Sequence, residues 1–122
     1  MCDTDNHDRD EQLMHFHDTA DSEYMSTLRD AAPEMVDAFF GFDKAVFSEK
    51  NGSLPATTRE LIAVAVAMTT QCPYCIDIHT RSAKKAGCTE SEVAQAVMIA
   101  SALRAGGALT HGWLAMKTFK NA

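Results

Sequence analysis

Apolar residues recur at spacings of three and four along most of the chain from Tyr24 to Phe119, and no stretch alternates long enough to demand a strand. Tyr24, Met25 and Leu28 mark a short amphipathic turn or two that stops before Pro33. Pro33 opens a second helix, since a proline in the first turn removes only an N–H that has no helical partner. Met35, Val36, Phe39, Phe40, Phe42, Val46 and Phe47 follow at helical spacing, and Asn51-Gly52 ends the segment as a turn. Leu54-Pro55-Ala56 then leads into Thr57-Thr58-Arg59-Glu60, which fits a capping box. The next helix, to about Thr70, is nearly all apolar from Leu61 to Met68, which predicts a central helix buried on most sides. Gln71-Cys72-Pro73 starts a further helix that runs to Gly87, a typical C-terminal stop. Thr89 and Glu92 form a second capping box, opening a helix with Val93, Val97, Met98 and Leu103. Gly106-Gly107 is expected to break or kink it, and a last segment carries Leu109, Trp113, Leu114, Met116 and Phe119. The pattern predicts an all-α fold.

Residues 1 to 20 do not share this pattern. They are rich in Asp and His with few apolar positions, so burial cannot offset the entropy of ordering them, and a flexible acidic tail is expected. His7, His15 and His17 could take up a metal adventitiously, but composition favours a solvated tail. Residues 21 to 122 then form a single helical domain of modest core. A net charge of −6 argues against a nucleic-acid partner and against docking on an anionic membrane. No apolar run approaches the roughly 20 residues of a membrane span. The acidic N-terminus lacks the basic start and apolar stretch of a signal peptide, so a cytoplasmic location is expected. There, a C-x-x-C pair is more often catalytic or metal-binding than a structural disulfide.

That pair is Cys72-Pro73-Tyr74-Cys75, with Glu60 before it and His79 four residues after Cys75. On a helix His79 shares the face of Cys75, and a thiol beside a base is how a protein makes thiolate near neutral pH. If the two flanking helices form an antiparallel hairpin, the levels of Glu60 and His79 differ by roughly 4 to 5 Å along the axis. The order Glu60, His79, Cys75 is then a candidate proton relay, and the helix N-terminus would further favour a thiolate at Cys72 or Cys75. Each member also has a plainer reading. Glu60 can be only the third residue of the capping box, and His79 an ordinary surface histidine. Tyr74 reads as a packing or mouth residue, Asp77 as solvated and His111 as structural. Cys88 reads as an incidental loop thiol, Cys2 as an inert one in the tail.

The pattern Glu-x11-Cys-x2-Cys-x3-His, with Ala56-Thr57-Thr58-Arg59-Glu60-Leu61-Ile62 before it and His79-Thr80-Arg81-Ser82-Ala83-Lys84-Lys85-Ala86-Gly87 after it, resembles the alkylhydroperoxidase D-like branch of the carboxymuconolactone decarboxylase superfamily. The resemblance covers about residues 33 to 115. It implies an all-α, oligomeric domain, a trimer or hexamer, and a thiol-dependent peroxidase that needs neither flavin nor haem nor metal. It also implies that Cys75 attacks the hydroperoxide, Cys72 resolves it, and Glu60 and His79 relay the proton, with a thioredoxin-like or lipoyl-bearing dithiol as reductant. The strings QCPYCIDIHT and LRAGGALTHG further resemble a small subgroup of peroxidase-like proteins associated with arsenosugar biosynthesis. Two features depart from the best-known pattern: Tyr74 stands where a histidine separates the cysteines, and those proteins are longer, duplicated chains. The decarboxylase branch proper lacks the cysteine pair, which disfavours decarboxylation.

Three other readings compete. Cys-Pro-Tyr-Cys is also the glutaredoxin motif, but Pro33, Pro55 and Pro73 leave no proline after the cysteines for the cis-proline that fold requires. Cys72, Cys75 and His79 could ligate a metal, but structural zinc needs a fourth ligand, from His111 or Cys88. The dithiol could also serve general disulfide exchange on the same fold without acting on peroxide.

Overall fold

A computed structural model describes residues 17 to 122. Cys2, His7 and His15, and most of the segment expected to be a flexible tail, lie outside them. The described chain is helical and contains no strand. It comprises a 3₁₀ turn at Thr19–Tyr24, α1 (Met25–Ala31), α2 (Pro33–Phe47), a short 3₁₀ turn at Glu49–Asn51, α3 (Ala56–Thr70), α4 (Pro73–Ala86) and α5 (Glu90–Asn121). Two compact units divide it, one ending at Ala45 and one running from Val46 to Ala122.

In the first unit the 3₁₀ turn begins at Thr19 because Asp18 and Asp21 cap it reciprocally. The Asp18 carboxylate accepts the Ala20 N–H at 2.9 Å, and the Asp21 carboxylate accepts the Asp18 N–H at 2.7 Å. Helix α1 ends at Ala31, and Ala32, just before Pro33, leaves the helical region (φ −144°), in line with the steric restriction on a residue preceding proline.

The second unit is built around α3, which packs against both α4 and α5. Its buried residues are small: Val64 and Ala67 on α3, Ala83 on α4, Cys88 in the connection, and Ala96 and Ala100 on α5. Small side chains at the crossings let the helix backbones approach closely. The joint between α3 and α4 is only two residues long. Gln71 closes α3 in the left-handed conformation (φ 56°), and its N–H and that of Cys72 both reach back to the Ala67 carbonyl. Gly87, at φ 102°, ends α4 in the same way and donates to Ala83 and Lys84. Thr89 and Glu92 make the expected reciprocal cap on α5. Arg104, farther along α5, donates to the Thr69 carbonyl at 2.6 Å, placing a cation on the C-terminal end of α3.

Three local expectations are corrected. Pro55, not Thr57, caps α3, and no side chain accepts a hydrogen bond there. Starting the helix two residues earlier moves Glu60 out of the capping position and frees its carboxylate. Second, Gly106-Gly107 does not break α5, which is continuous over 32 residues. Neither glycine adopts a positive φ, so the pair lowers helix propensity without ending the helix. Third, α3 is not buried on most sides within one chain: Ile62 and Val66 remain about half exposed. Apolarity on every face describes a helix covered by more than its own chain provides. The same holds for α5, where Leu109, Trp113 and Phe119 are 73%, 69% and 84% exposed.

Candidate active site

The hairpin of α3 and α4 brings Glu60 and His79 together. The Glu60 Oε2 lies 2.8 Å from His79 Nδ1, with both side chains largely buried, at 16% and 21% exposure. A carboxylate can only accept, so Nδ1 carries the proton in this bond. The neutral imidazole then keeps its lone pair on Nε2, the tautomer a general base requires. On one side of the ring, Phe47 stacks at a centroid distance of 5.1 Å and an interplanar angle of 21°. Carboxylate and phenyl ring together fix the plane of the imidazole.

Cys72 is the N-cap of α4, and Pro73 follows at the first helical position, as the sequence predicts. The cap is unusual in using sulfur: Cys72 Sγ accepts the Cys75 N–H at 3.3 Å. The two Sγ atoms stand 2.8 Å apart in hydrogen-bond contact without a disulfide, and both cysteines are partly buried. The Cys72 thiol is held below its ordinary value. The contact with the Cys75 thiol is the main cause and the Cys75 N–H the next; partial burial opposes them, and the Tyr74 N–H adds slightly.

Cys75 and His79 both line a cavity of about 410 Å³, whose walls are mostly apolar and include Phe47, Leu54, Ile62 and Val66. Cys72 is not part of that lining. The cavity thus distinguishes the two sulfurs that the motif alone leaves equivalent: one faces it, the other backs the first.

The remaining candidates fall elsewhere. Cys88 is buried, with Sγ 3.6 Å from the Thr57 carbonyl. Burial, then the charges of Glu92 and Glu60, push its thiol up, so it resists ionisation. His111 contacts the Gly107 carbonyl of its own helix at 2.9 Å and is exposed. Asp77 pairs with Arg81 at 2.8 Å on the outside of α4. Among the described residues no group of three or more His, Cys, Asp or Glu side chains is placed to hold a metal ion. The all-helical fold removes the glutaredoxin reading. Two cavity residues escaped the sequence: Phe47 read as one more member of an amphipathic stripe, and Arg59 as part of a capping segment. Neither carries a local signal of its place beside His79 or Cys75.

Fold and site define an all-helical protein with a dithiol at a helix N-terminus, facing an apolar cavity and a carboxylate-bound histidine. The chain belongs to the carboxymuconolactone decarboxylase family, whose model matches residues 33–118. An uncharacterised protein of the cox locus of Paracoccus denitrificans is 42% identical over 81 residues, covering 66% of this chain and 71% of its own length. Uncharacterised proteins of Cupriavidus necator and Bacillus subtilis are each 39% identical. Their matches cover 59% and 51% of this chain and 62% and 40% of the relatives' own lengths. The crystal structure of a protein from Methanobacterium thermoautotrophicum superposes with a TM-score of 0.65 at 35% identity, covering 70% of this chain and 93% of that one.

Proposed function

We propose that the protein is a thiol-dependent peroxidase that reduces hydroperoxides through a Cys72–Cys75 dithiol and disulfide cycle. The observation that carries this reading is that Cys75 and a Glu60-bound His79 line the same cavity while Cys72 stands in contact with Cys75. His79 takes the proton of the Cys75 thiol, leaving Cys75 as thiolate, and the Cys72 thiol keeps its proton and donates it as a hydrogen bond to that sulfur. The Cys75 thiolate attacks the terminal oxygen of R–O–O–H. The O–O bond breaks, sulfur gains OH as a sulfenic acid, and the departing alkoxide takes the proton from His79 to leave as alcohol. Cys72 then attacks the sulfenic sulfur, forming the disulfide and releasing water. An external dithiol, thioredoxin-like or lipoyl-bearing, reduces the disulfide by exchange. Every step uses side chains only, with no flavin, haem or metal.

The exposed apolar face of α5 supports a homo-oligomer, a trimer or hexamer, in which copies of the chain cover it. By length and composition α5 could also cross a bilayer; its packing on α3 and the Arg104 bond to Thr69 favour an interface helix in a cytoplasmic protein. The acidic charge speaks against a nucleic-acid partner.

The test is turnover of hydrogen peroxide and of an alkyl hydroperoxide with several dithiol reductants, followed by mass spectrometry of the thiols. Peroxide should yield a Cys72–Cys75 disulfide in the wild type and a trapped sulfenate at Cys75 in Cys72→Ser. Sulfenate appearing first on Cys72 would reverse the roles, and no turnover with any pair would remove the peroxidase. A specific observation favours the second reading, disulfide exchange without peroxide: the lowered thiol is Cys72, at the cap, which is where an exchanging thiolate is best held.

A further inference from the structure

The cavity beside Cys75 is mostly apolar, with Ser48, Thr70 and His79 among its polar residues and Arg59 as its guanidinium. Arg59, one residue before Glu60, lines it together with Cys75 and His79. Its side chain is only 11% exposed. Its ion-pair partner is Glu49, at 3.8 Å, beyond hydrogen-bond distance, and the Glu49 side chain is 81% exposed. A guanidinium offers five N–H donors in a planar fork suited to a carboxylate. Taking such a charge out of water is costly unless it is closely paired, and a loose contact with a solvated glutamate is poor compensation. The cavity volume of about 410 Å³ lies within the range of small-molecule sites. Apolar walls with one buried cation describe an amphipathic anion: an aliphatic chain along Ile62 and Val66, and a carboxylate at Arg59.

We propose that the cavity binds a medium-chain organic carboxylate through Arg59, and that the hydroperoxide forms of such acids are the substrate. The second clause rests on the peroxidase reading; the first does not. Arg59 is then the residue that sets specificity, and Glu49 is a place-holder that the substrate carboxylate displaces. Small uncharged peroxides gain nothing from this contact and are poorer substrates than acids that span the cavity.

The experiment measures binding and turnover separately on the full chain. Isothermal titration with octanoate and with octanamide, of equal length but neutral, reads the carboxylate contact without any redox step. The wild type should prefer octanoate by about tenfold or more, as expected for a charge-assisted bidentate bond. Arg59→Gln should bring the ratio close to one, and Arg59→Lys should restore part of it. Glu49→Gln should tighten octanoate binding by removing the competing carboxylate, a change that a merely structural arginine would not produce. Circular dichroism of each variant checks the fold. Equal binding of the two ligands by the wild type, no binding of either, or a preference that survives in Arg59→Gln would each overturn the site. In the second arm, kcat/KM is compared for a hydroperoxy fatty acid and its methyl ester. An acid preference that disappears in Arg59→Gln supports the substrate assignment. No turnover of either, with the octanoate preference intact, would overturn the peroxidase reading and leave the carboxylate site standing.

Discussion

Glu60 and His79 are 19 positions apart in the chain, yet Oε2 and Nδ1 meet at 2.8 Å. The meeting depends on a two-residue joint between helices and on a helix cap that does not use Glu60. Glu60→Gln keeps the size of the side chain and removes its charge. The amide can still accept from Nδ1 but no longer stabilises the imidazolium that forms when His79 takes a proton. Single-turnover oxidation by peroxide, followed by stopped flow, should slow by about ten- to a hundredfold in Glu60→Gln, and by roughly 10² to 10⁴ in His79→Ala, the usual contribution of a positioned base. Rates within twofold of wild type in both variants would remove the relay.

The thiols should separate by pH. Cys72, held below its ordinary value, should react with iodoacetamide at a pH where an unperturbed thiol is still slow. The sign of the linked stability follows: with the folded-state value depressed, the thiolate stabilises the fold in full above the unfolded value, near 9, and this contribution is lost as pH falls through the folded value. Chemical denaturation of wild type and Cys72→Ser across that window, under reducing conditions, should show the difference growing as pH rises.

Cys88 should behave in the opposite sense. Its thiol is pushed up by burial, so the neutral form stabilises the fold below the unfolded value near 9, and stability falls as pH rises toward the folded value. Alkaline denaturation should be milder in Cys88→Ala than in wild type once their neutral-pH stabilities are matched. Thiol titration of the native protein should leave Cys88 unmodified until the chain unfolds.

Gln71 occupies a left-handed conformation (φ 56°) that costs an L-residue with a Cβ roughly 1 kcal/mol relative to glycine. Gln71→Gly should therefore raise the unfolding free energy by up to about 1 kcal/mol, less whatever chain entropy the glycine adds to the unfolded state. A Tm that falls would show that the side chain makes a compensating contact.

Placing a charge on the exposed apolar face of α5 should separate the subunits. Leu109→Asp and Phe119→Glu alter residues that are 73% and 84% exposed in one chain, so the fold of that chain has little to lose. Sedimentation velocity should show a multiple of the chain mass for wild type and a shift toward the single chain for the variants. A wild type that sediments as one chain would remove the oligomer.

Helical periodicity and capping signals were enough to read an all-α fold and most helix ends, because Pro33, Pro73, Gly87 and Thr89 each act within one turn of themselves. The proximity of Glu60 and His79 was legible too, since it follows from helical rise and the length of one turn. What was not legible depends on the rest of the fold. Whether α3 starts at Ala56 or two residues later changes the fate of the Glu60 carboxylate, and tertiary pairing with His79 decides it. Gly106 and Gly107 weaken a helix by about 1 kcal/mol each relative to alanine, too little to end one that good formers extend on both sides. Phe47 and Arg59 reach the cavity from two segments whose own patterns speak only of packing and capping.

The sulfur cap of α4 has one more consequence. In the reduced protein, Cys72 Sγ serves at once as redox atom and as acceptor for the Cys75 N–H in the first turn of the helix. A disulfide sulfur keeps two lone pairs but carries no charge, so the hold of Cys72 on the first turn of α4 weakens, by as much as its sulfur had thiolate character, in the same event that oxidises the dithiol. The Cys75 amide then becomes a gauge of redox state: its hydrogen exchange should quicken on oxidation and slow again on reduction. A reductant arriving at the oxidised protein would then meet a helix end held less tightly at the Cys75 amide.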